Sequence, residues 1–220
     1  MIDLNDIREM VYVPVEVDNF NDKTYENLFK KTNEIINDYG LRYNIAYKSQ
    51  MNYPIYGEDL IQKFIKFLYP EDMKILNKEL KKTDEYNEIL KAMPFDPFYS
   101  NFNIFHKSPP FHEDFSGLKE YLRDYIDYYN LCIFKISNPS NTTQKLLWQK
   151  YGKEIETKIP SHVRSYLCTD SLAKHSISFE EEGSFSFIFI GIPNEQKLVK
   201  TVEKAKNKYP SNILTIHDFY

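Results

Sequence analysis

Residues 11–47 read VYVPVEVDNFNDKTYENLFKKTNEIINDYGLRYNIAY, and this stretch decides the class of fold. A β-branched run over Val11–Val17 predicts a strand, and Leu41–Tyr47 alternates apolar and polar residues as a half-buried strand does. Between them, apolar residues recur at helical spacing as far as Gly40, which suits the position just after a helix C-terminus. The stretch therefore predicts a strand–helix–strand unit.

The other end of the chain has the same pattern. Residues 184–217 predict a strand over Ser184–Ile192, a helix to Lys208 and a last strand over Asn212–His217. In the second half of the first strand, apolar residues occupy both faces, which is typical of a central strand covered on both sides. The two ends match in pattern and not in side chains, so they do not indicate an internal repeat.

The middle of the chain predicts helices and one long loop. Apolar stripes at helical spacing indicate a helical insertion over 57–93 and a helix over 114–129. Residues 94–113 are rich in proline and phenylalanine. Prolines disfavour a regular element while the rings need burial, so this segment predicts an ordered loop pinned by its aromatic side chains.

Shorter elements follow this segment. Leu131–Ser137 predicts a strand, and the apolar run around Trp148, closed by Gly152, predicts a helix. His175–Phe179 and Ser184–Ile192 predict the two strands of a hairpin. Together the elements predict a mixed α/β (α+β) fold with one domain over 1–220, in which a mixed sheet is flanked by helices.

Composition bounds the class of protein. The 28 basic and 32 acidic residues give a net charge of −4, without the basic stripe that a nucleic-acid-binding protein usually has. No segment approaches the roughly 18 apolar residues of a membrane span. The two cysteines, Cys132 and Cys168, form no CxxC motif and no signal peptide is evident, so a cytoplasmic location is expected. Frequent Lys, Asn, Ile, Tyr and Phe are typical of an AT-rich genome.

Polar turns after predicted strands indicate where a ligand would bind. In α/β sheets, ligands bind beyond the carboxyl ends of strands, where helix N-termini offer backbone N–H groups. None of the turns matches a phosphate-binding motif, and ordinary helix capping is the alternative. The candidate ligand-binding residues are Ser137, Asn138, Ser140, Asn141, Thr142 and Asn194.

Three titratable residues are the candidate catalytic groups. Glu180 and Glu182 lie in the predicted hairpin turn, where a Glu-x-Glu pair can serve glycosyl transfer on a nicotinamide dinucleotide. His217, near the end of the last predicted strand, is the candidate general base, with His162 and His175 as further histidines. A solvated acidic turn and an ordinary surface histidine are the alternatives.

The sequence predicts no metal site, although it offers one group of possible ligands. His106 and His112 lie close to Asp96, Glu113 and Asp114 in the sequence and offer mixed nitrogen and oxygen ligands. Their spacing matches no recognised zinc pattern, and hydrogen-bonded loop histidines are the alternative. The cofactor, if there is one, is left unknown.

Aromatic side chains indicate a contact surface. The chain has 18 tyrosines and 16 phenylalanines, more amphipathic rings than a core readily satisfies. Exposed aromatic residues are favoured in protein–protein interfaces, although partly buried tyrosines are the alternative. The candidate interface residues in the predicted loop are Phe98, Tyr99, Phe102 and Phe105.

The C-terminal third resembles a known family. Trp148-x-x-Tyr151, then Phe179-Glu180-x-Glu182 and a closing strand–helix–strand, resemble an uncharacterised bacterial family linked to abortive phage infection. The histidine-glycine stretch and the arginine of that family are absent.

These features lead to a functional hypothesis. The sequence predicts a cytosolic protein-interaction module of the inhibitor, immunity or accessory type from a bacterial or phage conflict system. Its acidic surface would suit a basic protein partner, with neither membrane nor nucleic acid as a partner. The alternative is an enzyme acting on a nucleotide or dinucleotide, by ADP-ribosyl-transfer-like or phosphate-ester chemistry. A metal-dependent nuclease using His106 and His112 is a third option. Whether the chain is an enzyme and how it oligomerises are left open.

Overall fold

The described part of the chain forms two β-sheets and a set of helices. The computed structural model describes residues 4–42, 44–45, 70–97, 99–105, 110–113, 132–137, 145–157, 159–160, 163–168, 173–178 and 184–220. The mixed α/β class predicted from the sequence is confirmed, and the strands divide between a seven-stranded and a three-stranded sheet.

The helices are α1 (Leu4–Arg8), α2 (Asp22–Asp38), α3 (Pro70–Leu80), α4 (Asp84–Ala92) and α5 (Glu195–Lys208), with short 3₁₀ turns at Pro210–Asn212 and Ile216–Phe219. The strands are β1 (Met10–Val15), β2 (Asn44–Ile45), β3 (Tyr99–Phe105), β4 (Cys132–Ser137), β5 (Lys145–Lys150), β6 (Lys153–Glu156), β7 (Ser165–Cys168), β8 (Lys174–Ser178), β9 (Ser184–Gly191) and β10 (Leu214–Thr215).

The large sheet has the order β10-β1-β7-β4-β9-β3-β2. Its pairs are antiparallel except for β2 and β3, which run parallel. The small sheet has the order β6-β5-β8. One further antiparallel bridge, between His112 and His175, extends the small sheet beyond β8.

Two apolar cores lie on opposite faces of the large sheet. On β9, Phe187 and Phe189 belong to the core shared with the helices, whereas Ile188 and Ile190 belong to a second core with residues of the small sheet. This division follows from the alternation of side chains along a strand. β9 is therefore a central strand covered on both faces, as its sequence predicts. The second core, which contains residues of both sheets, fills the space between them.

In the N-terminal unit, β1 and α2 form where the sequence predicts them, and Asn44–Ile45 of the predicted second strand forms β2. Asn21 caps α2, its side chain accepting a hydrogen bond from the Thr24 amide at 3.0 Å, with Thr24 completing a capping box. The apolar stripe of this helix is buried in the first core. The two strands of the unit are not neighbours, because β1 and β2 lie towards opposite ends of the large sheet.

The predicted loop over 94–113 is corrected in its centre, where Tyr99–Phe105 forms β3. This strand pairs with β9 over its whole length and with β2. The prolines that suggested a loop lie outside the strand, so its backbone N–H groups remain available to the ladder. Phe102 is fully buried.

The helix predicted around Trp148 is also wrong, because Lys145–Lys150 forms β5. Tyr151 and Gly152, at φ values of 50° and 78°, form the two-residue turn that joins β5 to β6. Positive φ at both central residues is the signature of a tight hairpin turn, so Gly152 turns a hairpin here and does not end a helix.

The predicted hairpin between β8 and β9 does not form. β8 pairs with β5 in the small sheet, whereas β9 pairs with β3 and β4 in the large sheet. The chain therefore crosses from one sheet to the other between these strands. The two strands consequently lie on opposite sides of the space between the sheets.

Some predicted elements fall outside the described residues. These are the helix over 114–129 and the 57–69 part of the helical insertion. The rest of the insertion forms α3 and α4. Among the described residues, no helix has the length and apolar character needed to cross a membrane.

Candidate functional site

Three rings form a row across the small sheet. Trp148 on β5 lies directly opposite His175 on β8, and His175 lies opposite His112 in the isolated bridge. The bridge is closed by two backbone hydrogen bonds, from the His112 amide at 3.0 Å and from the His175 amide at 2.9 Å. Because residues paired directly across a sheet share a face, the rings meet. Their centroids are 5.1 Å apart for Trp148–His175 and 4.6 Å for His175–His112.

Both imidazoles are oriented by the backbone in the same way. The Nδ1–H of His112 donates to the Pro110 carbonyl at 2.9 Å, and the Nδ1–H of His175 donates to the Ala173 carbonyl at 3.3 Å. A carbonyl oxygen only accepts, so Nδ1 carries the hydrogen in each ring. In the neutral rings, Nε2 is then the nitrogen with the lone pair. This arrangement is the one that orients histidines as metal ligands in proteins.

A lysine reaches the pair from the opposite sheet. On β4, Lys135 has the same parity as Ile133, a member of the core between the sheets, so its side chain enters that space. Its Nζ donates a hydrogen bond to Nε2 of His175 at 2.6 Å. Lys135 and His175 are only 3% and 2% exposed, so both side chains are buried beside the second core.

The surroundings of His175 are apolar, whereas His112 is only half-buried. Trp148 is completely buried, and its indole N–H is a buried donor without a hydrogen-bond partner in the described structure. Around it lie the apolar residues of the second core: Leu146, Ile177, Ile188 and Ile190. An environment that excludes water strengthens electrostatic interactions within it.

The two histidines fit a metal ion as ligands, but they do not by themselves complete a centre. Among the residues that the structure describes, no group of three or more His, Cys, Asp or Glu side chains is gathered as a metal site. In the sequence, Glu113 and Asp114 directly follow His112, and Asp114 lies outside the described residues. A third ligand from this pair would make a set of two histidines and one carboxylate.

Cys132 and Cys168 do not add a ligand or a nucleophile. Both are buried free thiols. Burial raises the pKa of the Cys132 thiol above its ordinary value, which disfavours the thiolate.

Of the six predicted ligand-binding residues, the structure describes Asn194 and Ser137. Asn194 caps α5, its side-chain oxygen accepting from the Lys197 amide at 3.1 Å, which is the ordinary capping alternative. Ser137 ends β4. The remaining predicted residues of this set fall outside the described part of the chain: Asn138, Ser140, Asn141 and Thr142.

The structure describes one of the three predicted catalytic residues, His217. Glu180 and Glu182 fall outside the described residues. His217 lies in the final 3₁₀ turn, where its exposed side chain contacts Glu9, with 2.8 Å between Nε2 and Oε2. These assignments stay predictions.

Of the predicted interface residues, Phe102 is buried in the first core and Tyr99 and Phe105 lie on β3, while Phe98 falls outside the described residues. An anchor for a partner must be accessible, so Phe102 cannot serve as one. The other three side chains stay predictions as interface residues.

Sequence reasoning missed the pairing at the centre of this site. It grouped His112 with His106, which falls outside the described residues, and treated His175 only as one of several histidines. Lys135 and Trp148 were not recognised as site residues at all. The one local signal was His112-Glu113-Asp114, a histidine and a carboxylate at the i and i+2 positions of one short segment.

Comparisons with known proteins give similarities at the level of solved structures. No family model matches the sequence, and no curated protein matches it. A non-heme monooxygenase, ThoJ, in complex with nickel gives a TM-score of 0.47 at 10% identity, covering 86% of this chain and 76% of that chain. A prolyl-4-hydroxylase from Pseudomonas putida gives 0.45 at 10% identity, covering 87% and 97%. AviO1 from Streptomyces viridochromogenes Tue57 gives 0.41 at 13% identity, covering 85% and 91%.

The predicted function is wrong in both of its forms. The similar solved structures include a non-heme monooxygenase and a prolyl hydroxylase, which is contrary to an inhibitor or immunity module of phage defence and to a nucleotide enzyme.

Proposed function

We propose that this protein is a metal-dependent oxygenase whose non-heme iron(II) is held by His112, His175 and Asp114. The pairing of His112 with His175 carries this proposal. Two imidazoles on neighbouring strands lie 4.6 Å apart between centroids, and each is turned by a backbone carbonyl so that Nε2 is its basic nitrogen. Histidines oriented in this way are typical of metal ligands.

The third ligand is assigned from the sequence. Two carboxylates, Glu113 and Asp114, directly follow His112 in the sequence. Asp114, two residues after the histidine, is the one assigned as the third ligand. Two histidines and one carboxylate form the ligand set of non-heme iron(II) oxygenases.

The chemistry divides between the metal and the chain. Bound iron(II) would supply the reaction with dioxygen at the coordination positions that three protein ligands leave open. The apolar residues around Trp148 would exclude water from those positions. Lys135 would supply a buried positive charge beside the centre, which suits a ligand that carries a carboxylate.

Metal binding can be followed by the fluorescence of one residue. Trp148 is the single tryptophan of the chain, and its ring centroid is 5.1 Å from that of His175. We expect anaerobic titration with iron(II), and with cobalt(II) or nickel(II) as oxygen-stable probes, to quench this emission saturably at one metal per chain. Calcium, which prefers oxygen ligands, serves as the control and should leave the emission unchanged.

The oxygenase reaction needs a second readout on the same protein. We expect oxygen uptake by the iron(II)-loaded chain in the presence of a reductant and a panel of 2-oxo acids, which carry the carboxylate that Lys135 would favour. No saturable quenching with any of the three transition metals would contradict the metal centre. Stoichiometric metal binding without oxygen uptake across the panel would contradict the oxygenase and leave the metal centre standing.

A further inference from the structure

Lys135 forms a hydrogen bond with Nε2 of His175, the nitrogen that would bind the metal. Its ammonium donates to Nε2 of His175 at 2.6 Å, while Nδ1 of the same ring donates to the Ala173 carbonyl. With Nδ1 protonated, the imidazole has one lone pair in the plane of the ring, and it lies on Nε2. A hydrogen bond from Lys135 and a bond to a metal therefore exclude each other at this atom.

The position of the Lys135 backbone is fixed by the sheet. β4 lies between β7 and β9, and Lys135 is in register with Tyr166 on one side and Ile188 on the other. Its Cα is therefore held by ladders on both sides, whereas its four-carbon side chain can change rotamer. Release of Nε2 would therefore need only a change of the Lys135 side chain, with its Cα staying beside the histidine pair.

We propose that Lys135 competes with the metal for His175, so that metal loading exchanges an internal ammonium for an external dication. This inference rests on the proposed metal centre. The lone pair on Nε2 of His175 must be released from Lys135 before a metal can bind to it. Lys135 is on this account a residue that sets metal affinity and does not ligate the metal.

The test is the metal affinity of Lys135→Met in the full-length protein, measured by equilibrium dialysis with cobalt(II) and elemental analysis. Methionine keeps the length of the side chain and removes both the charge and the donor. We expect the dissociation constant to fall at least tenfold below that of the wild type. Lys135→Gln keeps a neutral donor near Nε2 and should lie between the two.

The matched control is Lys145→Met on β5. Lys145 is an exposed lysine, 58% accessible, paired with Glu156 at 3.3 Å, so this variant removes the same charge away from the histidines. Its metal affinity should equal that of the wild type. Thermal unfolding of the three variants in the absence of metal confirms that each remains folded.

The outcomes separate the inference from the proposed function. Unchanged or weaker cobalt(II) binding by both Lys135 variants, with wild-type binding that depends on the histidines, would overturn the competition and leave the metal centre intact. No binding by the wild type, Lys135→Met and Lys135→Gln alike would overturn both. Tighter binding by Lys145→Met to the same extent as by Lys135→Met would also overturn the competition, because net charge would then explain the change.

Discussion

Replacing His112 or His175 by alanine is expected to abolish metal binding and, with it, the quenching of Trp148 emission. Each variant removes one imidazole whose Nδ1 is anchored to a backbone carbonyl. Loss of an outer partner of a metal ligand commonly costs 10–100-fold in affinity, so loss of a ligand itself should exceed about 100-fold. Fluorescence titration with cobalt(II), supported by equilibrium dialysis, measures this change.

The matched control for these variants is His217→Ala. His217 is an exposed histidine that contacts Glu9 near the C-terminus, so its loss tests for unspecific binding by surface imidazoles. Its metal affinity should equal that of the wild type. Retention of wild-type affinity by both His112→Ala and His175→Ala would contradict a centre at this pair.

The second large effect concerns stability and the helix-side core. Phe187 on β9 is fully buried, with ring centroids of Phe102, Phe29 and Tyr86 at 4.7, 5.9 and 6.1 Å. Phe187→Ala leaves a cavity among rings that are held by different elements and cannot all move inward. We expect the free energy of unfolding to fall by about 3–5 kcal/mol, measured by urea denaturation.

The control for this prediction lies next to the same strand. Ile192 directly follows β9 and is 45% exposed, so Ile192→Ala should change the free energy of unfolding by no more than roughly 0.5 kcal/mol. A loss below about 1 kcal/mol for Phe187→Ala would show that the rings around it do not form a close-packed core.

Elements with local signals could be predicted from the sequence. The capping box of α2 and its apolar stripe determine where that helix begins and which face it buries. Asn194 likewise marks the start of α5. These signals lie within one or two helical turns, so they do not depend on the rest of the chain.

Elements whose local signals are ambiguous were assigned wrongly. The short apolar run around Trp148 suits a strand or a buried helix, because periodicity alone does not distinguish them. Gly152 is as suitable for a hairpin turn as for a helix end. The prolines on either side of β3 favoured a loop prediction for the whole segment. The strand is recognised only from its pairing with β9.

The candidate site could not be derived from local pattern for a physical reason. His112 and His175 are distant in sequence and meet because a bridge pairs them at the edge of the small sheet. Lys135 reaches them from the other sheet, and its proximity depends on how the two sheets face each other. The sequence shows His112 and Asp114 close together, but it does not show that His175 and Lys135 lie near His112.

Anomalous diffraction from crystals soaked anaerobically with iron(II) tests the metal centre most directly. A peak recorded at the iron absorption edge is expected within bonding distance of Nε2 of both His112 and His175. Lys135 Nζ should then lie farther from His175 than its present 2.6 Å. A crystal that contains stoichiometric iron with its anomalous peak away from these two nitrogens would contradict the account.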